Sequence, residues 1–119
     1  MGELEAKSLD SPEEVRTFAN GSAGLVTVGG ATIGRFTFEP GWRWSEAVKP
    51  IVGTESCQNH HQGVATSGRI HVVANDGSET DIGAGEAYNI PPGHDAWVVG
   101  DETFVGYEFK SAAEYARPS

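Results

Sequence analysis

The sequence has only one cysteine, Cys57, and no apolar run long enough to cross a bilayer. A membrane-spanning helix needs about 20 consecutive apolar residues. One thiol cannot form a disulfide within the chain, which is typical of a reducing compartment, so we expect a cytoplasmic protein. The acidic N-terminal stretch also lacks the apolar core of a secretory signal. These absences argue against a disulfide-stabilised secreted domain and against a helical membrane protein.

Basic residues are also scarce. The 119 residues include 8 lysines and arginines against 17 aspartates and glutamates, which gives a formal net charge of -9. Such a surface repels phosphate backbones and anionic lipid headgroups. We therefore expect neither nucleic acid nor a membrane as a partner, and look instead to a small molecule.

Glycine and proline, by contrast, are abundant, with 16 and 6 residues. They suit short strands joined by tight turns better than a helical bundle. Alternating segments and turn signals recur about every ten residues from residue 23 onward, which predicts one all-β sandwich or barrel over residues 23–110. Residues 1–22 instead carry helix signals, with Ser11 as N-cap, Pro12 in the first turn and Asn20 near the end. Residues 111–119 predict a second short helix and a tail.

One segment carries a more specific pattern. Gly85 is followed by five residues and the turn Pro91-Pro92-Gly93, and Gly68 lies upstream with sixteen residues in between. This pattern resembles the two sequence motifs of the cupin family, over about residues 31–109, and within it the small single-domain, conserved-barrel cupins. The resemblance implies a cupin-type double-stranded β-helix, or jelly-roll barrel, with the short N- and C-terminal helices outside it. It also implies a metal ion or small molecule in the barrel.

The metal-binding positions of the two motifs hold unusual residues in this chain. The glutamate position holds His61, the paired histidine positions hold Glu55 and Cys57, and the histidine position of the second motif holds Ala96. Carboxylate, thiolate and imidazole are all accepted metal ligands, so a divalent ion such as Zn, Fe, Mn or Ni remains an expected cofactor.

Strand parity sharpens this expectation. In an extended segment Glu55, Cys57, Asn59 and His61 face one side and His60 the other. His94 has the parity of position 96 and is a candidate fourth donor. We therefore predict the metal ligands His61, Cys57, Glu55 and His94, and a ligand pocket that adds Asn59, His60, Tyr88, Trp97 and Trp44.

Several of these residues have plainer interpretations. Trp44 suits a core or an interface, and His60 a structural role. Cys57 can be a small buried side chain, or a nucleophile activated by His61, for which no third, orienting residue is evident. His71 is expected at the surface.

The sequence leaves open whether the chain is an enzyme. One hypothesis is a metal-dependent enzyme of the isomerase, lyase or dioxygenase kind that the wider family implies. The alternatives are a metal-free module that binds a small molecule and a scaffold whose interior is plugged by side chains. Cupins of this size usually pair, so we also expect a homodimer, which light scattering would test.

Overall fold

The computed structural model describes residues 3–110, 112, 115 and 116, and these form two antiparallel sheets that face each other. The strands are β1 (Glu14–Phe18), β2 (Gly21–Val28), β3 (Ala31–Phe38), β4 (His61–Ser67), β5 (Arg69–Ala74), β6 (Glu79–Gly83), β7 (Ala87–Ile90), β8 (His94–Val98) and β9 (Phe104–Lys110). Two short helices, α1 (Trp44–Ala47) and α2 (Lys49–Val52), connect β3 to β4. The strand order is β1-β2-β3-β9-β4-β7 in one sheet and β6-β5-β8 in the other. The predicted all-β architecture is confirmed.

The expected N-terminal helix is wrong, because its residues form β1. Phe18 pairs with Gly21 and Glu14 with Leu25, so β1 and β2 make a hairpin. The signal read as a helix end, Asn20 before Gly21, is the hairpin turn, in which Asn20 has a φ of 60°. By pairing with β2, β1 provides hydrogen-bond partners for the backbone groups that β2 would otherwise expose at the edge of the sheet. This pairing outweighs the weak local helix signals. The sheet therefore begins inside the segment predicted to lie before the barrel.

The expected C-terminal helix falls mostly on residues outside the described part of the chain. Ala112, Tyr115 and Ala116 are described; they lie in turns and are buried. Arg16 on β1 donates hydrogen bonds to the backbone oxygens of Ala112 and Tyr115. These contacts hold Tyr115 inside the barrel.

The core between the sheets is largely aromatic. Phe38 stacks on Trp42 with a centroid separation of 3.8 Å and an angle of 3° between the ring planes. Phe36 packs against Tyr115 with centroids 4.6 Å apart. Trp42 and Trp44 are both buried, and Trp44 is the first residue of α1. Within the described part of the chain, no helix is both long and apolar enough to cross a membrane.

Candidate metal centre

Three side chains meet at one end of the barrel because of where two strands begin. His61 is the first residue of β4 and His94 the first of β8. The backbone N–H of Cys57 donates to the carbonyl oxygen of His94 at 2.7 Å, which ties the loop before β4 to the start of β8. The three side chains are buried, and their ligating atoms lie within 4.8 Å of one another.

Both imidazole rings are oriented by a hydrogen bond from Nδ1. The Nδ1–H of His61 donates to Glu108 Oε1 at 2.6 Å, and the Nδ1–H of His94 donates to the carbonyl oxygen of Pro91 at 2.8 Å. Nε2 is therefore the ring nitrogen left to act as a metal ligand, and Nε2 of His61 lies within hydrogen-bond distance of Cys57 Sγ, at 3.4 Å. Metal-binding histidines commonly show this pattern, since a bond on the outer nitrogen fixes the tautomer and the ring orientation.

Glu108 on β9 is a buried carboxylate with two partners. Besides His61, it accepts a hydrogen bond from the hydroxyl of Tyr88 at 2.8 Å. Burial and the negative charge of Glu108 raise the pKa of Tyr88 well above its usual range, so the phenol stays a donor. A buried carboxylate is costly unless it is paired and hydrogen-bonded, and here each oxygen has its own donor.

The same contacts set the charges of Cys57 and His61. Burial opposes the thiolate, but hydrogen bonds from His61 and His94 outweigh it and lower the pKa of Cys57 to about 6. Burial also opposes the imidazolium, but the charge of Glu108 and the bonds to Cys57 and Glu108 raise the pKa of His61 to about 10. At neutral pH the metal-free centre is thus a thiolate beside an imidazolium, and the thiolate is already in the form that binds metals.

One pair of donor atoms has the separation that a tetrahedral ion requires. With Zn–S near 2.3 Å and Zn–N near 2.05 Å, two ligands on a tetrahedron lie about 3.5 Å apart, and the separation of Cys57 Sγ from His61 Nε2 is 3.4 Å. Beside the donors lies a chamber of about 20 Å³, which suits an ion or one water and no organic molecule.

Two polar groups on the chamber wall also lack partners. The indole N–H of Trp42 and the hydroxyl of Tyr115 are buried without a hydrogen-bond partner among the described residues. Buried polar groups usually have a partner. Unpaired donors at this wall fit a chamber that receives a polar ligand.

Glu55, the remaining predicted metal ligand, is not part of the cluster. Its side chain is 97% exposed and forms an ion pair with Lys49. The parity argument failed because the chain bends at Glu55 and Ser56 instead of continuing as a strand. The backbone oxygen of Ser56 accepts bonds from the side chains of Thr54 and Gln58, which stabilises the bend.

The predicted pocket residues separate into two groups. Trp44 lines the chamber, and Tyr88 reaches it through Glu108. Asn59 and His60 lie outside it, and His60 bonds to Asn89 at 2.6 Å, in keeping with a structural role.

Trp97 was predicted to line the ligand pocket, but it lies on the outer face of β8. Its ring packs under the guanidinium of Arg43, 4.3 Å from the centroid, and beside His71 at 5.0 Å. His71 is also on this outer face, as expected, and bonds to Asp81 and Glu79. With a chamber of ion size, the barrel interior has no room for an organic ligand.

Glu108 is the site residue that the sequence did not reveal. Along β9 the set Val105, Tyr107 and Phe109 is the more apolar, and an alternation argument turns it inward. The structure has the opposite parity: Phe104 and Glu108 are buried, and Phe109 is 57% exposed. The sequence signal for this face was Gly106, because a glycine within a strand often marks a place where another group approaches closely. In the structure a Cβ at Gly106 would lie 2.8 Å from the hydroxyl of Tyr88.

Solved structures share this arrangement of strands. A protein of unknown function from Rhizobium leguminosarum is 19% identical, with a TM-score of 0.63 over 92% of this chain and 98% of that one. A cupin 2 conserved barrel domain protein from Salinispora arenicola is 20% identical, with a TM-score of 0.61 over 90% of this chain and 87% of that one. This chain has the cupin fold.

A mutant oxalate decarboxylase from Bacillus subtilis is a larger example of the same cupin fold. It is 17% identical, with a TM-score of 0.60, and the match covers 92% of this chain but 31% of the decarboxylase. No protein-family model matches the sequence, and the comparison with curated proteins finds no match. At these identities the likeness concerns the fold alone.

Proposed function

We propose that this chain binds one divalent transition metal through Cys57, His61 and His94 and uses it on a small molecule. The observation that carries the proposal is the convergence of three buried donor atoms within 4.8 Å. A mixed sulfur and nitrogen donor set favours zinc over harder ions such as Mg²⁺.

The number of ligands favours a reactive centre over a structural one. Structural zinc sites are closed by four protein ligands, whereas catalytic sites have three and keep one position open. Here the described part of the chain supplies three, and the chamber lies beside them. A bound ion at such a position supplies Lewis-acid polarisation of an oxygen-bearing ligand. The residues of the chain hold the ion and set its surroundings, Glu108 through His61 and Pro91 through His94.

A second candidate function is nucleophilic catalysis by Cys57. The series Cys57, His61 and Glu108 supplies the orienting carboxylate that the sequence left unidentified. The thiol is 2% exposed, however, and the chamber beside the cluster has a volume of only about 20 Å³. An acyl substrate cannot reach the sulfur in this conformation, so the metal is the better occupant. The alternative function is a metal-free module that binds its small molecule outside the ion chamber. Homodimerisation remains a prediction.

Metal content and a spectroscopic substitution test the proposal. The protein is purified from metal-replete medium, its metal content is measured by mass spectrometry, and the apo form is reconstituted with Co²⁺. We expect one equivalent of metal and a near-ultraviolet charge-transfer band from thiolate to cobalt. Protein that holds no metal above background, before or after reconstitution, overturns the proposal.

Three variants assign the ligands. Cys57→Ser should lose the charge-transfer band. His94→Gln should bind the metal more weakly but keep the band. Glu55→Gln is the matched control, since this carboxylate is exposed and paired with Lys49, and it should bind like the wild type. Equal binding by all three variants places the ion elsewhere.

A further inference from the structure

An open groove of about 520 Å³ lies next to the metal centre, at the gap between the two sheets. It forms because β6 and β7 are the edge strands of the two sheets and do not pair with each other. Val72 and Thr80, which pair across β5 and β6, contribute to one side, and the Pro91-Pro92-Gly93 turn after β7 to the other. The groove is large enough for a small organic molecule.

The groove and the ion chamber share a wall. Ile90 and His94 line both of them. His94 is one of the three proposed ligands, so a molecule in the groove would lie one side chain away from the ion. This adjacency makes the groove the nearest volume in which a substrate of the centre can bind.

The chemistry of the lining selects a class of ligand. Its apolar lining consists of Val72, Ile90, Pro91 and Pro92, and its acidic residues are Asp76 and Glu79, of which Glu79 also bonds to His71. Among the described residues, no lysine or arginine lines the groove. Hydrogen bonds from the side chain and backbone of Ser78 lower the pKa of Asp76, which keeps this carboxylate charged at neutral pH.

Three basic residues outside the groove are paired with carboxylates. Arg43 pairs with Asp95, Lys49 with Glu55 and Arg35 with Asp10. An anionic ligand in the groove would therefore meet the carboxylate of Asp76 with no lysine or arginine beside it among the described residues, while Glu79 is already bonded to His71, in a chain whose formal charge is -9.

We propose that this groove is the substrate subsite of the Cys57–His61–His94 centre and that it binds a small organic cation with an apolar body, such as a substituted amine. The assignment of the groove to the metal centre rests on the proposed function; its preference for a cation does not. It also separates this chain from the oxalate decarboxylase of similar fold, whose name identifies a dicarboxylate as its substrate.

Three probes of similar shape and different charge test the preference. Benzyltrimethylammonium, benzyl alcohol and benzoate are titrated into ¹⁵N-labelled protein, and the side-chain amide signals of Asn75 and Asn89 on the groove are followed. Benzyltrimethylammonium has no lone pair, so it cannot report binding by coordination to the ion. We expect the cation to bind most tightly and benzoate to leave these signals unchanged. Benzoate binding as tightly as the cation, or no shift with any probe, overturns the proposal.

Two variants that each add one positive charge separate a local effect in the groove from an effect of net charge. Thr80→Lys places a cation in the groove, whereas Ala31→Lys places the same charge on an exposed residue at the start of β3. For Thr80→Lys we expect about fivefold weaker binding of the cation, the scale of one partly screened charge a few ångström away, and detectable binding of benzoate. Ala31→Lys should behave like the wild type. Equal effects of the two variants would mean that the preference comes from net charge, which also overturns the proposal.

Titration of the probes with and without zinc separates this inference from the proposed function. If the cation binds with and without added zinc and the protein takes up no metal, the proposal for the groove stands and the proposed metal centre is wrong. If the protein binds one equivalent of metal and none of the probes, the metal centre stands and the proposal for the groove is wrong.

Discussion

Glu108→Gln gives the sharpest test of the centre, because it removes a charge and almost nothing else. The wild-type carboxylate accepts from His61 at 2.6 Å and from Tyr88 at 2.8 Å. Glutamine has the same shape and can accept from the His61 ring while its amide donates to the Tyr88 oxygen. Loss of such an outer carboxylate typically weakens metal binding 10- to 100-fold, or about 1.4 to 2.7 kcal/mol. We expect a zinc Kd raised by that factor, measured at pH 8 by competition with a chromophoric chelator.

The pH dependence of stability provides a second readout of the same substitution. The folded-state pKa of His61 is raised from 6.5 to about 10, so its pairing with Glu108 stabilises the metal-free fold fully below pH 6.5. This stabilisation is lost as the pH rises through about 10. The wild type should therefore exceed Glu108→Gln most in unfolding free energy near pH 6, and the difference should shrink toward pH 10.

The control for both readouts is Tyr88→Phe, which removes one donor and keeps the carboxylate. It should affect zinc binding less than Glu108→Gln does. If Glu108→Gln binds zinc within twofold of the wild type, the carboxylate does not orient His61 toward an ion, and the reasoning fails.

Three further predictions concern proton release, packing and the outer face. Zinc binding to the wild type should release about one proton between pH 7 and 9, because Cys57 is then already a thiolate and His61 must lose its proton. The apparent zinc affinity, measured by the chelator competition, should therefore rise about tenfold per pH unit. Gly63→Ala should destabilise the fold by about 3 kcal/mol or more in denaturant titrations, because its Cβ would lie 2.2 Å from the carbonyl oxygen of Tyr107. His71→Gln should lower stability by about 1 kcal/mol at most below pH 6.5, and the loss should fade at higher pH, because hydrogen bonds to Asp81 and Glu79 raise the pKa of His71.

Most of the strands and the Cys57–His61–His94 cluster could be predicted from the sequence because they follow from regular backbone geometry. Period-two alternation and glycine turns locate the strands, and counting back from Gly68 leads to His61 and Cys57. His94 follows from parity, since it lies two residues before Ala96 on the same face of β8 and both are buried. His94 can thus provide the imidazole that the cupin pattern has at position 96, where this chain has Ala96.

Two of the misses arise from competition between local pattern and long-range pairing, and the third arises from side-chain bonds within a short segment. The helix signals at Ser11 and Pro12 lose to the pairing of β1 with β2. The extended geometry assumed for Glu55 loses to a bend held by side-chain bonds to Ser56. Glu108 faces inward against the apolar alternation of β9 because His61 and Tyr88 satisfy both of its oxygens. The partners of Glu108 lie far along the sequence, whereas Thr54 and Gln58 are neighbours of Ser56.

Tyr115 distinguishes an ion chamber from a barrel that is simply packed shut. Its hydroxyl is buried without a partner among the described residues, and such a group costs about 1–3 kcal/mol. Tyr115→Phe should therefore leave the metal-free protein as stable or make it more stable. If a ligand that completes the coordination of zinc is the missing partner, the same variant should lose part of the rise in melting temperature that zinc produces. Tyr107→Phe is the control, because that hydroxyl bonds to Arg35 away from the chamber. A zinc-induced rise unaltered in Tyr115→Phe would mean that the hydroxyl has no role in the centre, and that this part of the barrel is core.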